Sequence, residues 1–144
     1  MAQVLAVNTS EEKGVPKYAI DRGYFAVDCG LAGDAHAGNW HRQVSLLANE
    51  SIHKMEEQGL GKLATGSFAE NLTTEGITLY TLPVGTKLKI GNVLMEVTQI
   101  GKECHAGCAI RQKTGDCIMP REGIFTKVLM PGWIKAGDRI EVVS

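Results

Sequence analysis

The chain has 144 residues, 44% hydrophobic and 22% charged, which is enough for a packed core in one domain spanning residues 1–144. Its 15 basic and 16 acidic residues give a net charge of −1, which argues against duplex nucleic acid or an anionic membrane as the main partner. No apolar run reaches the roughly 18 residues of a membrane span, and the first residues lack the layout of a secretory signal. We therefore expect a cytoplasmic protein.

The elements predicted along the chain are mainly short strands. Apolar and alternating runs predict strands at residues 3–8, 24–27, 43–47, 68–74, 86–90, 93–97 and 138–143. Residues 30–42 are predicted to form a long ordered loop, and Asn49 is predicted to be the N-cap of a helix that Gly59 ends. Gly91 and Asn92 predict a two-residue hairpin turn. Residues 123–129 fit either a strand or a helix.

Glycine usage and a faint repeat support a fold rich in strands. Seventeen glycines, about 12% of the chain against an average near 7%, indicate many tight turns. Residues 84–90 and 136–142 share a glycine turn, two polar residues and an alternating run, which predicts two strands in one sheet system. We therefore predict a mostly β fold, a compact β-barrel with one or two short helices. The glycine motifs of dinucleotide and phosphate-loop folds are absent from the sequence.

Three of the four cysteines, Cys104, Cys108 and Cys117, lie within fourteen residues. Cys104 follows the strand predicted at residues 93–97, so a reactive group there is expected on a loop held by a rigid scaffold. The thiolate is the useful form of cysteine for a nucleophile, a persulfide carrier or a soft-metal ligand. Nearby cations that favour it are Lys102, His105 and Arg111.

Three interpretations of this cluster stay open. The first is a working thiol. The second is a structural zinc site formed by the three cysteines and a histidine, although their spacing departs from the paired pattern typical of such sites. The third is a set of buried, unreactive cysteines that behave as small apolar residues.

The loop at residues 30–42 carries a second constellation of polar side chains. His36, His41 and Arg42 have the chemistry to bind an oxyanion or the edge of a cofactor, and Arg42 is the natural fork for a phosphate or carboxylate. Trp40 fits either a stacking surface or a core anchor, and Asp34 fits a turn former.

Two further segments are weaker candidates. Glu70 and Asn71 have hydrogen-bonding groups for a polar heterocycle, but they also fit a strand end with local bonds to the backbone. Arg121 follows a proline on a predicted turn, and it matters for function only if the fold brings it beside Cys104.

Four ordered segments resemble the MOSC domain, named after the C-terminal part of molybdenum cofactor sulfurases, and the resemblance extends over nearly the whole chain. They are GDAHAGNWHRQVSLL (33–47), SFAENLTTEGI (67–77), LPVGTKLKIGNVLMEVTQIGKECH (82–105) and MPREGIFTKVLMPGWIKAGDRIEV (119–142). The chain is similar to the short, stand-alone bacterial type. One departure is Ala69, where the family often has glycine.

This resemblance implies a compact β-barrel like that of the pyruvate kinase barrel domain and a role with the molybdenum cofactor. The family's characteristic cysteine falls at Cys104, for which it implies either a persulfide carrier or a thiolate ligand to molybdenum. Cys108 and Cys117 are then expected to assist, to resolve a persulfide or to bind metal. The residues implied for the anionic and polar parts of the cofactor are His36, His41, Arg42 and Arg121, with Asn71 at the pterin edge.

The resemblance also implies partners. The sequence contains no pyridoxal-phosphate-dependent cysteine desulfurase domain, so we expect a separate sulfur donor of that kind and proteins of molybdenum cofactor biosynthesis. Two alternatives remain: a small molybdenum-dependent reductase or transferase with an external electron donor, and a zinc-stabilised binding module.

Overall fold

The computed structural model describes residues 2–12, 15–57, 65–66, 68–101 and 122–143. The strands in these residues are β1 (Gln3–Thr9), β2 (Tyr18–Ile20), β3 (Arg22–Ala26), β4 (Gly30–Leu31), β5 (Val44–Ala48), β6 (Leu72–Glu75), β7 (Lys87–Ile90), β8 (Val93–Ile100), β9 (Ile124–Met130), β10 (Gly132–Lys135) and β11 (Ile140–Val142). Helix α1 spans Asn49–Met55, and a short 3₁₀ turn covers Leu79–Thr81. The mostly β prediction is confirmed. No helix in the described parts of the chain is long and apolar enough to cross a membrane.

Eight strands form one sheet in the order β11-β7-β8-β9-β5-β6-β1-β2, and a smaller sheet has the order β10-β3-β4. The β5–β6 pair is parallel, and the other described pairs are antiparallel. A parallel pair needs a crossover connection, and α1 lies in it. The two strands predicted by the repeat, β7 and β11, are neighbours in the large sheet, as expected.

A closed β-barrel is not found among the described residues, which corrects the predicted architecture. Strand β6 occupies one edge of β1, and β2 takes the other edge from Val7 to Thr9. Only the start of β1 is free to contact the turn before β11 and the first residue of β11. The Gly137 amide donates to the Val4 carbonyl, and the Ile140 amide donates to the Ala2 carbonyl. The contact is an isolated bridge rather than a ladder, so β11 ends the sheet.

The core forms where the apolar faces of the strands meet. It is built from aliphatic side chains of almost every strand of the large sheet, with Phe25 and Leu31 from the smaller one. The predicted hairpin at Gly91 and Asn92 joins β7 to β8, and Gly91 has φ +58°. The range 123–129, which fits either a strand or a helix by sequence, lies almost wholly in β9, because β8 and β5 flank this strand on both edges.

The helix begins one residue earlier than predicted. Its N-cap is Ala48, without a side-chain cap, and Asn49 is the first helical residue. Strand β5 runs into the helix with no intervening turn, so no polar residue occupies the cap position. Ile52 and Met55 are buried on one face, as the sequence predicted, whereas Gly59 lies outside the described residues.

Candidate functional site

The predicted site falls partly outside the described residues: Cys104, Cys108, Cys117 and Arg121 all lie there. What the structure describes is the base from which that segment departs. The Gly101 amide donates to the Gly123 carbonyl at 2.6 Å, so β8 and β9 are held together where the cysteine segment leaves and re-enters the sheet. The surroundings of Gly101 therefore define the near side of the site.

Asp34 organises the loop that carries the predicted binding residues. Its Oδ1 accepts from Thr9 Oγ1 at 3.0 Å, the Ser10 amide at 3.2 Å and Lys17 Nζ at 2.8 Å, and its Oδ2 accepts from the His36 amide at 3.0 Å. Burial by itself raises the pKa of Asp34, but the hydrogen bonds from His36 and Lys17 and the Lys17 charge outweigh it and hold this pKa well below its usual range. Asp34 is therefore a buried carboxylate that anchors the loop, as a turn former should.

Lys17 determines which ring nitrogen of His36 accepts a hydrogen bond. Its ammonium donates to Ser10 Oγ at 3.0 Å and to Asp34, and it lies 3.1 Å from His36 Nδ1. Because an ammonium has no lone pair, Nδ1 must accept the third bond. With Nδ1 as the acceptor, Nε2 carries the ring proton, and the side chain is 22% exposed, so the ring offers a donor to a ligand.

Trp40 connects His36 to the far end of the loop. Its indole Nε1 donates to the His36 carbonyl at 2.9 Å. The Arg42 guanidinium carbon lies 5.8 Å from the centre of the Trp40 ring and 5.7 Å from that of Phe125, which is within cation–π range. These contacts place the guanidinium close to two aromatic rings.

Gln99, near the end of β8, joins the loop to the base of the cysteine segment. Its Oε1 accepts from Arg42 Nε at 3.2 Å and lies 3.0 Å from His41 Nε2, while its Nε2 donates to the Gly101 carbonyl at 2.7 Å. An amide oxygen cannot donate, so His41 carries a proton on Nε2. The structure thus brings His41 and Arg42 together beside the start of the segment that contains Cys104.

Arg42 keeps hydrogen-bonding capacity for a ligand. The guanidinium is half-buried, and Gln99 engages only its Nε. Within the described parts of the chain, neither terminal amino group has a hydrogen-bond or ion-pair partner. Arginine binds carboxylate and phosphate through such a fork.

Asn71 lies in a different environment from these residues. Its side chain is fully buried; Oδ1 accepts from the Ser45 amide at 3.0 Å, and Nδ2 donates to the Asn8 carbonyl at 3.2 Å. The amide bonds to β1 and β5 across its own strand edge. The Asn71 side chain therefore holds neighbouring strands together and is not exposed to a ligand.

Glu70, beside it, is also fully buried. The carboxylate accepts from Thr73 Oγ1 at 2.7 Å and from the amides of Gly66 at 3.0 Å and Phe68 at 3.2 Å. Burial raises the pKa of Glu70, and these hydrogen bonds only partly oppose it. Gly66, whose turn Glu70 closes, accepts from the Lys17 amide at 2.8 Å, so Glu70 supports the backbone that carries Lys17.

Lys17 and Gln99 were missed by sequence reasoning. Lys17 lies next to a proline, and Gln99 lies just after the strand predicted at residues 93–97, so neither position carries a local signal. Their partners lie 17 to 19 and 57 to 58 residues away in the sequence. Only the fold brings them together.

No group of three or more metal-binding side chains is found among the residues that the structure describes. The predicted zinc set and the molybdenum ligand both involve Cys104, so they remain predictions. Cys29 is described, half-buried and free.

The MOSC domain family model matches residues 33–141, which include the loop from Gly33 onward and both strands around the cysteine segment. The chain belongs to the MOSC domain family. This family is associated with molybdenum cofactor binding. No curated protein gives a significant match to this MOSC domain chain.

Solved structures share the MOSC fold seen here. The YuaD protein from Bacillus subtilis has a TM-score of 0.79 at 19% identity, covering 99% of this chain and 96% of its own. YiiM from Geobacillus stearothermophilus has a TM-score of 0.77 at 20% identity, covering 100% of this chain and 76% of its own. YiiM from Escherichia coli has a TM-score of 0.73 at 21% identity, covering 100% and 70%. These likenesses establish the fold.

Proposed function

We propose that this MOSC domain binds the molybdenum cofactor and handles sulfur at Cys104, as a persulfide carrier or as a thiolate ligand to the metal. The observation that carries the proposal is the Gln99 side chain, which holds His41 and Arg42 beside Gly101. Cys104 follows Gly101 by three residues, and three residues span at most about 11 Å. This short tether supports the proposal that Cys104 works beside the cationic part of the loop.

The described residues fit an anionic pterin that carries a phosphate. Arg42 offers the two terminal amino groups of its guanidinium, and His36 offers its Nε2 proton. Both groups donate hydrogen bonds, and phosphate oxygens and the acceptor atoms of a heterocycle accept them. When bound, the cofactor supplies an oxidised metal that accepts a soft thiolate ligand.

Sulfur transfer to Cys104 is redox-neutral and needs a donor persulfide. The Cys104 thiolate attacks the terminal sulfur of that persulfide, a new sulfur–sulfur bond forms on Cys104, and the donor leaves as a thiolate. In this proposal the positive charge of the Arg42 guanidinium favours the thiolate over the thiol. The donor we propose is a cytoplasmic cysteine desulfurase that uses pyridoxal phosphate.

The experiment compares the wild-type protein with Cys104→Ser and with the control Cys29→Ser, each purified anaerobically and, separately, incubated with cofactor. We expect molybdenum and pterin retention, or the mass of one added sulfur atom, in the wild type and in Cys29→Ser but not in Cys104→Ser. Equal retention and equal sulfur loading in all three proteins would refute the proposal. One zinc ion per chain, lost in Cys104→Ser, would favour a structural zinc site instead.

A further inference from the structure

A cleft of about 360 Å³ opens between the loop and the paired strands β8 and β9, next to His41. Its volume lies within the range of small-molecule sites, roughly 300 to 1,000 Å³. The side chains that matter for binding are those of Asn39, Trp40, His41, Gln43 and Lys127, with Asp28 at the edge. None of the roles proposed above uses the cleft itself.

Gln43 supplies the fixed polar group of this cleft. Its side chain is buried, with 2% exposed, and Oε1 accepts from the Val128 amide at 3.0 Å. That bond sets the orientation of the amide, because only the oxygen can accept from a backbone N–H. The Nε2 group then has two protons and no partner in the described parts of the chain. Because Gln43 lines the cleft, a ligand or water there can accept from this group.

The backbone of Gln43 is also held in place. Gly30 has φ +96°, and a Cβ atom there would lie 2.5 Å from the Gln43 carbonyl oxygen. Glycine at this position lets β4 approach that carbonyl closely. The donor pair of Gln43 is therefore preorganised rather than adjustable.

The rim of the cleft combines one cation with an aromatic surface. Lys127 is 44% exposed at its side chain and lies 3.9 Å from Glu96, the outer limit of an ion pair. Trp40 is 37% exposed and contributes an apolar surface. Asp28, exposed at the edge, opposes a ligand of high negative charge. A single carboxylate attached to a planar ring satisfies all three conditions.

We propose that this cleft binds a small aromatic monocarboxylate, with its oxygens on the Gln43 amide and the Lys127 ammonium and its ring against Trp40. Its use beside the cofactor rests on the proposed function, since the cleft shares His41 with the cofactor loop. The binding itself does not depend on cofactor. It can therefore be tested on the protein alone.

The test is a benzoate titration of the cofactor-free protein followed by ¹H–¹⁵N NMR. We expect saturable shifts of the Gln43 side-chain amide and the Trp40 indole signals. Benzamide, which lacks the charge, should bind about tenfold or more weakly because a charged hydrogen bond to Lys127 is lost.

Two variants address the two ends of the carboxylate. Gln43→Glu keeps an acceptor for the Val128 amide but removes both donors, so benzoate binding should be abolished. Lys127→Met, at the partly exposed rim, should weaken benzoate about tenfold or more and leave benzamide within about twofold. If thermal unfolding shows that Gln43→Glu does not fold, Lys127→Met serves as the test.

Benzoate and benzamide binding equally well, or Lys127→Met leaving benzoate affinity unchanged, would overturn the carboxylate assignment. An unshifted Gln43 amide at saturating benzoate would overturn the site. Cys104→Ser should bind benzoate like the wild type. Its failure to retain cofactor therefore reports on the proposed function, and benzoate binding reports on this cleft.

Discussion

Lys17 Nζ lies 2.8 Å from Asp34 Oδ1, and neither side chain exposes any surface to solvent. A buried ion pair of this kind is costly to desolvate, and it persists when additional hydrogen bonds satisfy both partners. Here those bonds come from Thr9, Ser10 and His36. The same contacts that satisfy the pair also hold the first half of the binding loop against β1.

Asp34→Asn should be strongly destabilising. It removes the charge that faces Lys17 and leaves a buried ammonium uncompensated, which costs about 3–5 kcal/mol. Urea unfolding measures the difference from the wild type. The matched control is Asp138→Asn, which affects a pair with the largely exposed Lys135 and should cost about 1 kcal/mol or less. Similar losses for the two variants would contradict the prediction.

Stability should fall in acid partly because of Asp34. Its folded-state pKa is lowered, so the folded protein binds fewer protons than the unfolded chain once the pH drops below about 5. The contribution is fully present above the unfolded pKa, near 4, and is lost as the pH falls toward the folded pKa. Free energies of unfolding between pH 7 and pH 3 should decline less steeply in Asp34→Asn than in the wild type. Parallel curves would rule this out.

Glu70 should act in the opposite direction. Because burial raises its folded-state pKa, the folded protein holds this proton more tightly, and the stability it contributes is lost as the pH rises through that pKa. We expect the wild type to gain stability relative to Glu70→Gln when the pH is lowered from 8 toward 5. The comparison is made by urea unfolding at each pH. A constant difference between the two proteins would show that Glu70 has an ordinary pKa.

Gln99→Leu should loosen the proposed cofactor site without unfolding the protein. The substitution removes the acceptor for Arg42 and His41 and the donor to Gly101, and hydrogen bonds to charged groups contribute about 1.5–3 kcal/mol. Cofactor affinity, measured by equilibrium retention of molybdenum, should fall about tenfold or more. The control is Gln3→Leu, which removes a glutamine of β1 that is hydrogen-bonded to Glu75 of β6. This variant should retain cofactor normally. Unchanged affinity in Gln99→Leu would exclude the positioning role.

Substitutions at two glycines distinguish the cost of a left-handed backbone conformation from the cost of a steric clash of the added Cβ atom. Gly30 and Gly33 both have positive φ, but a Cβ atom at Gly30 would collide with the Gln43 carbonyl, whereas nothing lies within 4 Å of one at Gly33. Gly33→Ala should cost about 1–2 kcal/mol for the left-handed conformation. Gly30→Ala should cost more, and thermal unfolding should show the larger drop in melting temperature. Equal drops would mean that β4 moves away at no cost.

The strand content was predictable because it depends on local patterns. Alternation at residues 86–90 and 93–97 around Gly91 specified a hairpin, and the structure has it. Closure of the sheet was not predictable, since it depends on how β2 shares an edge of β1 with the turn near Gly137. No local sequence pattern indicates which strand pairs with a given edge of β1.

The candidate site was predictable in residue type but not in arrangement. His36, His41 and Arg42 stood out as cations in a glycine-rich loop, and the structure holds them in one framework. Asn71 resembled a ligand contact in sequence because amides suit heterocycles, yet its side chain is buried. Lys17 and Gln99, which fix the framework, pair across long sequence separations, so only the tertiary fold reveals them.

The bond between Gly101 and Gly123 bears on how relatives of this chain can diverge. Because the sheet already holds these two residues together, the segment at 102–121 begins and ends at adjacent points. Lengthening a loop whose ends are fixed costs little entropy, about 0.6 kcal/mol for each doubling. Insertions late in the segment would leave the short tether from Gly101 to Cys104 unchanged. The fold thus permits a new partner-binding surface to be added beside the thiol while the distance of Cys104 from Arg42 stays bounded.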